Sequence, residues 1–167
     1  MSTTNETTKI STASVKEIAS NDMNMLNMAN PVFCCWLFWC SVLVIKMLLM
    51  SLITAIQRII KKVEPLNKVT EVTLNDPDVE RVRRAHLNDL ENILPFLIMS
   101  LAYITTKPNI IAACTLFRIA AVSRILHTLV YAFRPVPQPS RAIAFFVTLS
   151  ITIFMAFYTA VRSMRFI

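Results

Sequence analysis

The sequence predicts an all-α fold, a bundle of four helices that crosses a membrane. Three observations carry that expectation. The chain is 55% hydrophobic and only 16% charged, where soluble domains carry about 25% charged residues. Its apolar residues collect into four segments, each able to reach the roughly 20 residues a helix needs to cross a hydrocarbon core. The links between these segments are polar and carry basic residues, and the second of them is very short.

The length of 167 residues suits one compact domain, and the mean hydropathy of +0.56 calls for lipid around it. Glycine is absent. That excludes phosphate-cradling loops, the dinucleotide fingerprint and GxxxG helix packing, which all need glycine at fixed positions.

Residues 1–30 are polar and rich in Ser, Thr and Asn. They lack the basic start and long apolar core of a cleaved signal, so they read as a disordered extension with a short helix near its end. Asn5-Glu6-Thr7 is a glycosylation sequon. The four-helix domain is then 31–167. Its first helix runs from about Val32 to Ile60 and contains FCCWLFWCSVLVI. Lys46 falls in its middle, where a charge needs a buried partner; Asp89 and Glu91 are the candidates. Arg58, near the helix end, is better placed to reach an anionic ligand.

The second helix covers about Val79 to Ile104. A hydropathy scan would pass over its charged start, but NILPFLIMSLAYI lies directly behind and makes it spanning. The third helix covers about Asn109 to Ala132 and the fourth about Pro139 to Met164. Only Thr105–Pro108 separates helices two and three, which makes them an antiparallel pair. Loops 61–78 and 133–140 share one side of the membrane. Lys61, Lys62, Lys68 and Arg134 in these loops, with Arg58, Arg81, Arg83, Arg84 and Arg141 beside them, place that side in the cytosol. Arg162 and Arg165 pull the other way without reversing the bias. The net charge of +7 suits anionic headgroups, and equally a site for an anion.

The run DVERVRRAHLNDLENILP, residues 78–95, is the densest polar stretch. At 100° per residue, Arg81, Arg84, Asn88 and Glu91 form one stripe, continued by Pro95. His86 and Asp89, spaced i, i+3, share another face and can pair. Guanidinium forks suit carboxylates and Glu91 suits an ammonium, so the stripe could hold a zwitterionic peptide. The charges could equally pair among themselves, as Glu80 and Arg84 can at i, i+4. Pro95 removes the helical donor to the Glu91 carbonyl, so a kink would open space there.

On helix three, Arg124, His127 and Tyr131 share one face at i, i+3, i+7. A polar face of three residues points into a bundle rather than at lipid, although His127 alone could be an interhelical hydrogen bond and Tyr131 an interfacial anchor. Arg118 lies off that face and is assigned to helix packing. Arg141 opens helix four beside backbone N–H groups that favour an anion. A thiol there would ionise more easily; a headgroup contact is the plainer alternative. Cys34, Cys35, Cys40 and Cys114 lie in apolar stretches and form neither a zinc pattern nor a disulfide framework. His86 and His127 are too few for a metal cluster, and no HExxH or Ser-His-Asp arrangement is visible.

The run VERVRRAHLNDLENILPFL, together with VIKMLLMSLITA, RILHTLVYAFRPVPQPSRA and AFF, resembles the membrane-associated proteins in eicosanoid and glutathione metabolism. The likeness extends from about Pro31 to the C-terminus. It implies a homotrimer in the endoplasmic reticulum, and in the outer mitochondrial membrane, with glutathione as cosubstrate between neighbouring subunits near the cytosolic face. By motif position it implies that Arg58, Arg83, Arg84, His86, Asn88, Glu91, Tyr131 and Arg141 contact or support glutathione. Arg124 and His127 match the family's third-helix polar face, and Arg141 matches the thiolate-stabilising arginine. The implied activity is a glutathione transferase for lipophilic electrophiles, with reduction of lipid hydroperoxides, in a detoxifying role. No metal and no nucleic acid are expected. The alternatives are a glutathione-dependent isomerase of prostaglandin endoperoxides and a non-catalytic lipid-binding adaptor. Ala142 after Arg141 and Leu87 after His86 depart from the isomerase branch. The Tyr131–Arg141 link is one residue longer than usual in the family. The first loop has no cysteine, so the family's loop-cysteine switch is not available.

Overall fold

The computed structural model describes residues 25–60, 77–130 and 140–166. Four helices carry the fold: α1 Pro31–Ile60, α2 Pro77–Thr105, α3 Ile110–Thr128 and α4 Ser140–Ser163, with a 3-10 turn at Met164–Phe166. The α-helical part of α3 is shorter than its sequence pattern suggested, and residues 131–132 of the expected helix lie outside the described residues. So do residues 1–24 of the extension and most of the two basic loops.

Local chemistry sets the helix starts. Pro31 opens α1, where its missing N–H costs nothing, and Asn30 Oδ1 accepts from Val32 N at 3.0 Å. Asn109 caps α3, accepting from Ile111 N and Ala112 N at 2.9 and 3.2 Å. Asp78 and Glu80 lie in the first turn of α2, where they complement the helix dipole. The turn from α2 to α3 needs a left-handed residue, and Lys107 takes it at φ 55° because the chain has no glycine to offer.

Cross-helix pairs fix the directions. Trp36 Nε1 donates to Ser100 Oγ at 2.7 Å and Lys46 meets Asp89, so α1 and α2 are antiparallel. Asp89 with Arg124, and Phe96 edge-on to Phe117 at 6.5 Å, make α2 and α3 antiparallel too. The short link thus sets direction, but it does not make α2 and α3 the nearest neighbours. The tightest packing is of α1 with α2 and α3, and of α4 with α2 and α3. α2 and α3 therefore face each other across the bundle and meet mainly through long side chains.

The core lies on that diagonal: Leu43, Ile93, Phe96, Phe117, Ile151 and Met155, all buried. Ala113, Ala120 and Ala121 are fully buried on α3, small residues of the kind that let neighbouring helices approach closely. Ser123 and Thr148 share a hydrogen bond of 2.6 Å between α3 and α4.

Pro31–Ile60, Ile110–Thr128 and Ala142–Ser163 are long and apolar enough to cross a membrane. Their outward faces carry Ile45, Leu48, Leu52, Ile56, Ile143, Ile153 and Phe157, all exposed, which suits a hydrocarbon solvent. The 29 residues of α2 extend about 43 Å, longer than the roughly 30 Å hydrocarbon core. Its charged first turns can therefore project into the headgroup layer while the apolar half stays in lipid. The molecule is an all-α membrane bundle.

Candidate functional site

Antiparallel threading gathers one end of the bundle from four pieces: the end of α1, the charged half of α2, the end of α3 and the start of α4. Arg58, Arg83, Arg84, His86, Asn88, Glu91, Arg124 and His127 all come from these pieces. Arg141 is the second residue of α4, so its backbone lies there as well; its side chain is outside the described residues, as is Tyr131. The opposite end carries the Asn109 cap and the C-terminal turn.

The floor of this end is a buried charge cluster. Asp89 is fully buried and accepts from Lys46 Nζ at 2.5 Å, Arg124 Nη2 at 2.6 Å and Thr128 Oγ1 at 3.1 Å. Of the two candidates for Lys46, the structure chooses Asp89. The expected His86–Asp89 pairing does not form: Asp89 turns into the bundle, and His86 is half-buried on another face with no ion pair among the described residues. Arg124 is also fully buried and its Nη2 donates to Asn88 Oδ1 at 2.9 Å. Asn92 Nδ2 donates to the Asn88 carbonyl at 2.8 Å. Asn88 is therefore held from beneath, half-buried, at the boundary between floor and surface. Arg124 touches the floor and not the outer face, so it supports Asn88 from within the bundle. His127 is buried on the same helix beside Thr128.

The polar stripe on α2 faces outward from the bundle rather than into it. Arg84, Leu87, Glu91, Leu94, Pro95 and Ile98 are exposed, and most of them recur at alternating steps of three and four. Arg81 and Asn88 flank this row and are half-buried. The buried face of α2 is instead Val82, Ala85, Asp89 and Ile93.

The first turns of α2 carry a salt-bridged clamp. Glu80 Oε2 and Oε1 accept from Arg83 Nε and Nη2 at 2.7 and 2.8 Å, and Oε1 also accepts from Arg84 Nε at 2.7 Å. The Arg83 and then the Arg84 hydrogen bonds hold the Glu80 carboxyl down at about 2. Its folded value is lowered, so the clamp contributes stability above the ordinary value of 4.5 and loses it as pH falls toward about 2. The groups are near the surface, so Glu80→Gln should cost at most about 1 kcal/mol at neutral pH, a melting shift of a few degrees that vanishes by about pH 2 as the wild-type carboxyl protonates. A thermal melt series across pH checks it. Arg81 pairs with Asp78 at 3.0 Å. Arg58 is half-buried, with no hydrogen-bond acceptor for its Nε among the described residues.

A groove of about 640 Å³ runs between α3 and α4, walled by Ile119, Val122, Leu126, Ile143 and Val147. Arg118, expected to serve helix packing, is exposed along this groove instead. Its apolar walls suit an acyl chain or an aromatic compound arriving through lipid.

Sequence reasoning missed Thr128, Asn92 and the Arg83–Glu80 half of the clamp. Thr128 was legible in principle, four residues after Arg124 on one helical face. Asn92 was legible as the i+4 partner of the Asn88 carbonyl.

Comparison with known proteins gives this end a lineage. The MAPEG family model matches residues 36–161. Microsomal glutathione S-transferase 1 of Mus musculus is 42% identical over 146 residues, covering 81% of this chain and 93% of the mouse protein. The Homo sapiens protein of the same name is 41% identical over 140 residues, covering 78% and 90%. Prostaglandin E synthase of Homo sapiens is 37% identical over 112 residues, covering 64% and 74%. The matched region takes in all of α2 and α3, most of α1 and α4, and every residue of the buried cluster, and the chain belongs to the MAPEG family.

Proposed function

We propose that the chain is a membrane-bound glutathione transferase that conjugates glutathione to lipophilic electrophiles and reduces lipid hydroperoxides. The observation that carries this reading is the concentration of Arg58, Arg83, Arg84, Asn88, Glu91 and the start of α4 at one end of the bundle. There, guanidinium donors can meet two carboxylates and a carboxylate can meet an ammonium. The likeness to the microsomal transferases over most of the chain supports it. The thiol loses its proton beside Arg141 and the α4 N-terminus, and the thiolate attacks the electrophile, displacing its leaving group. With a hydroperoxide, two glutathiones supply the two electrons and leave as the disulfide, with an alcohol and water as the other products. Glutathione enters from the cytosol and the second substrate from the endoplasmic reticulum membrane.

The outward stripe of α2 argues for assembly. Arg84 and Glu91 cannot face hydrocarbon cheaply, and their spacing with Leu87, Leu94 and Ile98 is that of a helix–helix seam. A homotrimer joined along α2 covers this row and brings each stripe against a neighbouring copy.

The test is titration of the purified detergent-solubilised protein with glutathione, read by thiolate absorbance. Wild type should bind and ionise the thiol. Glu91→Gln should weaken binding at least about tenfold, the size of a lost charge-assisted contact. Binding without ionisation in wild type would favour a non-catalytic lipid-binding role.

A further inference from the structure

The buried cluster has an unbalanced charge. Lys46 and Arg124 bring two positive charges and Asp89 one negative, so the floor beneath Asn88 carries one positive charge in surplus. Cross-linking of the helices does not require it. Asp89–Arg124 alone is a neutral pair joining α2 and α3, and with Lys46 absent Asp89 still accepts from Arg124 Nη2 and Thr128 Oγ1. Among the described residues, Arg124 Nε and Nη1 also lack acceptors although the side chain is fully buried. Donors and positive charge both exceed what the protomer's described acceptors absorb. In a membrane interior a surplus cation is costly unless an anion lies nearby.

We infer that Lys46 is a positioning residue of the glutathione site, leaving the buried floor with a net positive charge that favours the anionic form of the peptide held above it. This rests on the proposed glutathione reading and adds a residue twelve positions before Arg58 in α1. The link is physical: Lys46 holds Asp89, Asp89 holds Arg124, and Arg124 holds the Asn88 amide that borders the ligand. Charged or titratable side chains that face Lys46 come from α2, as Asp89, and from α3, as Arg124; His127 lies one turn of α3 further on. No charged side chain of α4 reaches the cluster among the described residues. The surplus charge acts through the low-dielectric bundle. A unit charge about 10 Å away at an effective dielectric of about 20 moves a thiol by roughly one pH unit.

The experiment compares wild type, Lys46→Gln and Lys46→Arg by pH titration of bound glutathione thiolate, glutathione KM, kcat and melting temperature. Gln keeps a donor for Asp89 while removing the charge, and Arg keeps the charge. The expected result is that Lys46→Gln raises the midpoint of thiolate formation by about one unit and lowers kcat at neutral pH. Its melting temperature should stay at or above wild type, and Lys46→Arg should restore the midpoint. A structural role alone would lower the melting temperature of Lys46→Gln and leave the midpoint where it was, and that outcome overturns the inference. Should Lys46→Gln fail to fold, Lys46→Met carries the same comparison. A wild-type protein that forms no thiolate would sink the glutathione reading itself. A normal wild type with a Lys46→Gln midpoint identical to it would sink only this inference.

Discussion

Asp89→Ala is expected to destabilise the protein by about 3–5 kcal/mol, the cost of removing one partner from a buried ion pair. The residue is the sole anion of the described cluster, fully buried, and accepts three hydrogen bonds from α1 and α3. Without it, Lys46 and Arg124 would face each other as like charges with no counter-ion. For a chain of this length the melting temperature should fall on the order of 10 °C, read by thermal unfolding in detergent. Asp89→Asn should cost less, because the amide oxygen still accepts. Adding Lys46→Met to Asp89→Ala should recover part of the loss, since one of the two stranded charges is then gone. Strict additivity of the two substitutions would show that they do not share a cluster.

Arg141→Ala is expected to lower kcat about 10²–10³-fold, the usual effect of deleting one preorganised donor at a developing or resident anion. α4 begins at Ser140, so the thiolate would lie against a helix N-terminus whose unpaired N–H groups already favour negative charge. The arginine adds a full charge to those partial ones. Glutathione binding should fall much less than turnover, because the proposed site assigns the peptide's acid ends to the arginines of α1 and α2. The decisive reading is the thiolate band: Arg141→Ala should bind the peptide with the band absent at neutral pH, and Arg141→Lys should return part of it. An unchanged band in Arg141→Ala would move the ionising role to another cation.

These two substitutions show different depths of legibility. Arg141 was singled out from position alone, a cation behind a proline-stiffened link at the start of an apolar helix. Its proposed role depends on a backbone feature that any helix start supplies. Asp89 was readable only as a charge in need of a partner. Periodicity offered His86 as that partner, because neighbours on one helix are all that spacing can see. The structure pairs Asp89 instead with residues 43 positions earlier and 35 positions later.

The same division runs through α2. Its helical character, its charged start and its apolar second half follow from composition and from the 3.6-residue period. Which face turns inward does not follow as directly, because both faces carry ionisable groups, Asp89 on one and Arg84 and Glu91 on the other. Burial of Val82, Ala85, Asp89 and Ile93 turned the Arg84–Glu91 row outward. That orientation is what the proposed assembly along α2 rests on.

The sequence by itself determined that this chain is a four-helix membrane protein, where its helices begin, and which end of the bundle carries the cations. Those are local properties, set by runs of apolar residues, caps and loop length. Only the tertiary structure decided that α2 and α3 meet across a diagonal, that Lys46 and Arg124 share one carboxylate, and that the α2 stripe faces out. Each depends on how helices distant in sequence rotate about their own axes to bury charge at least cost. No single helix contains that information.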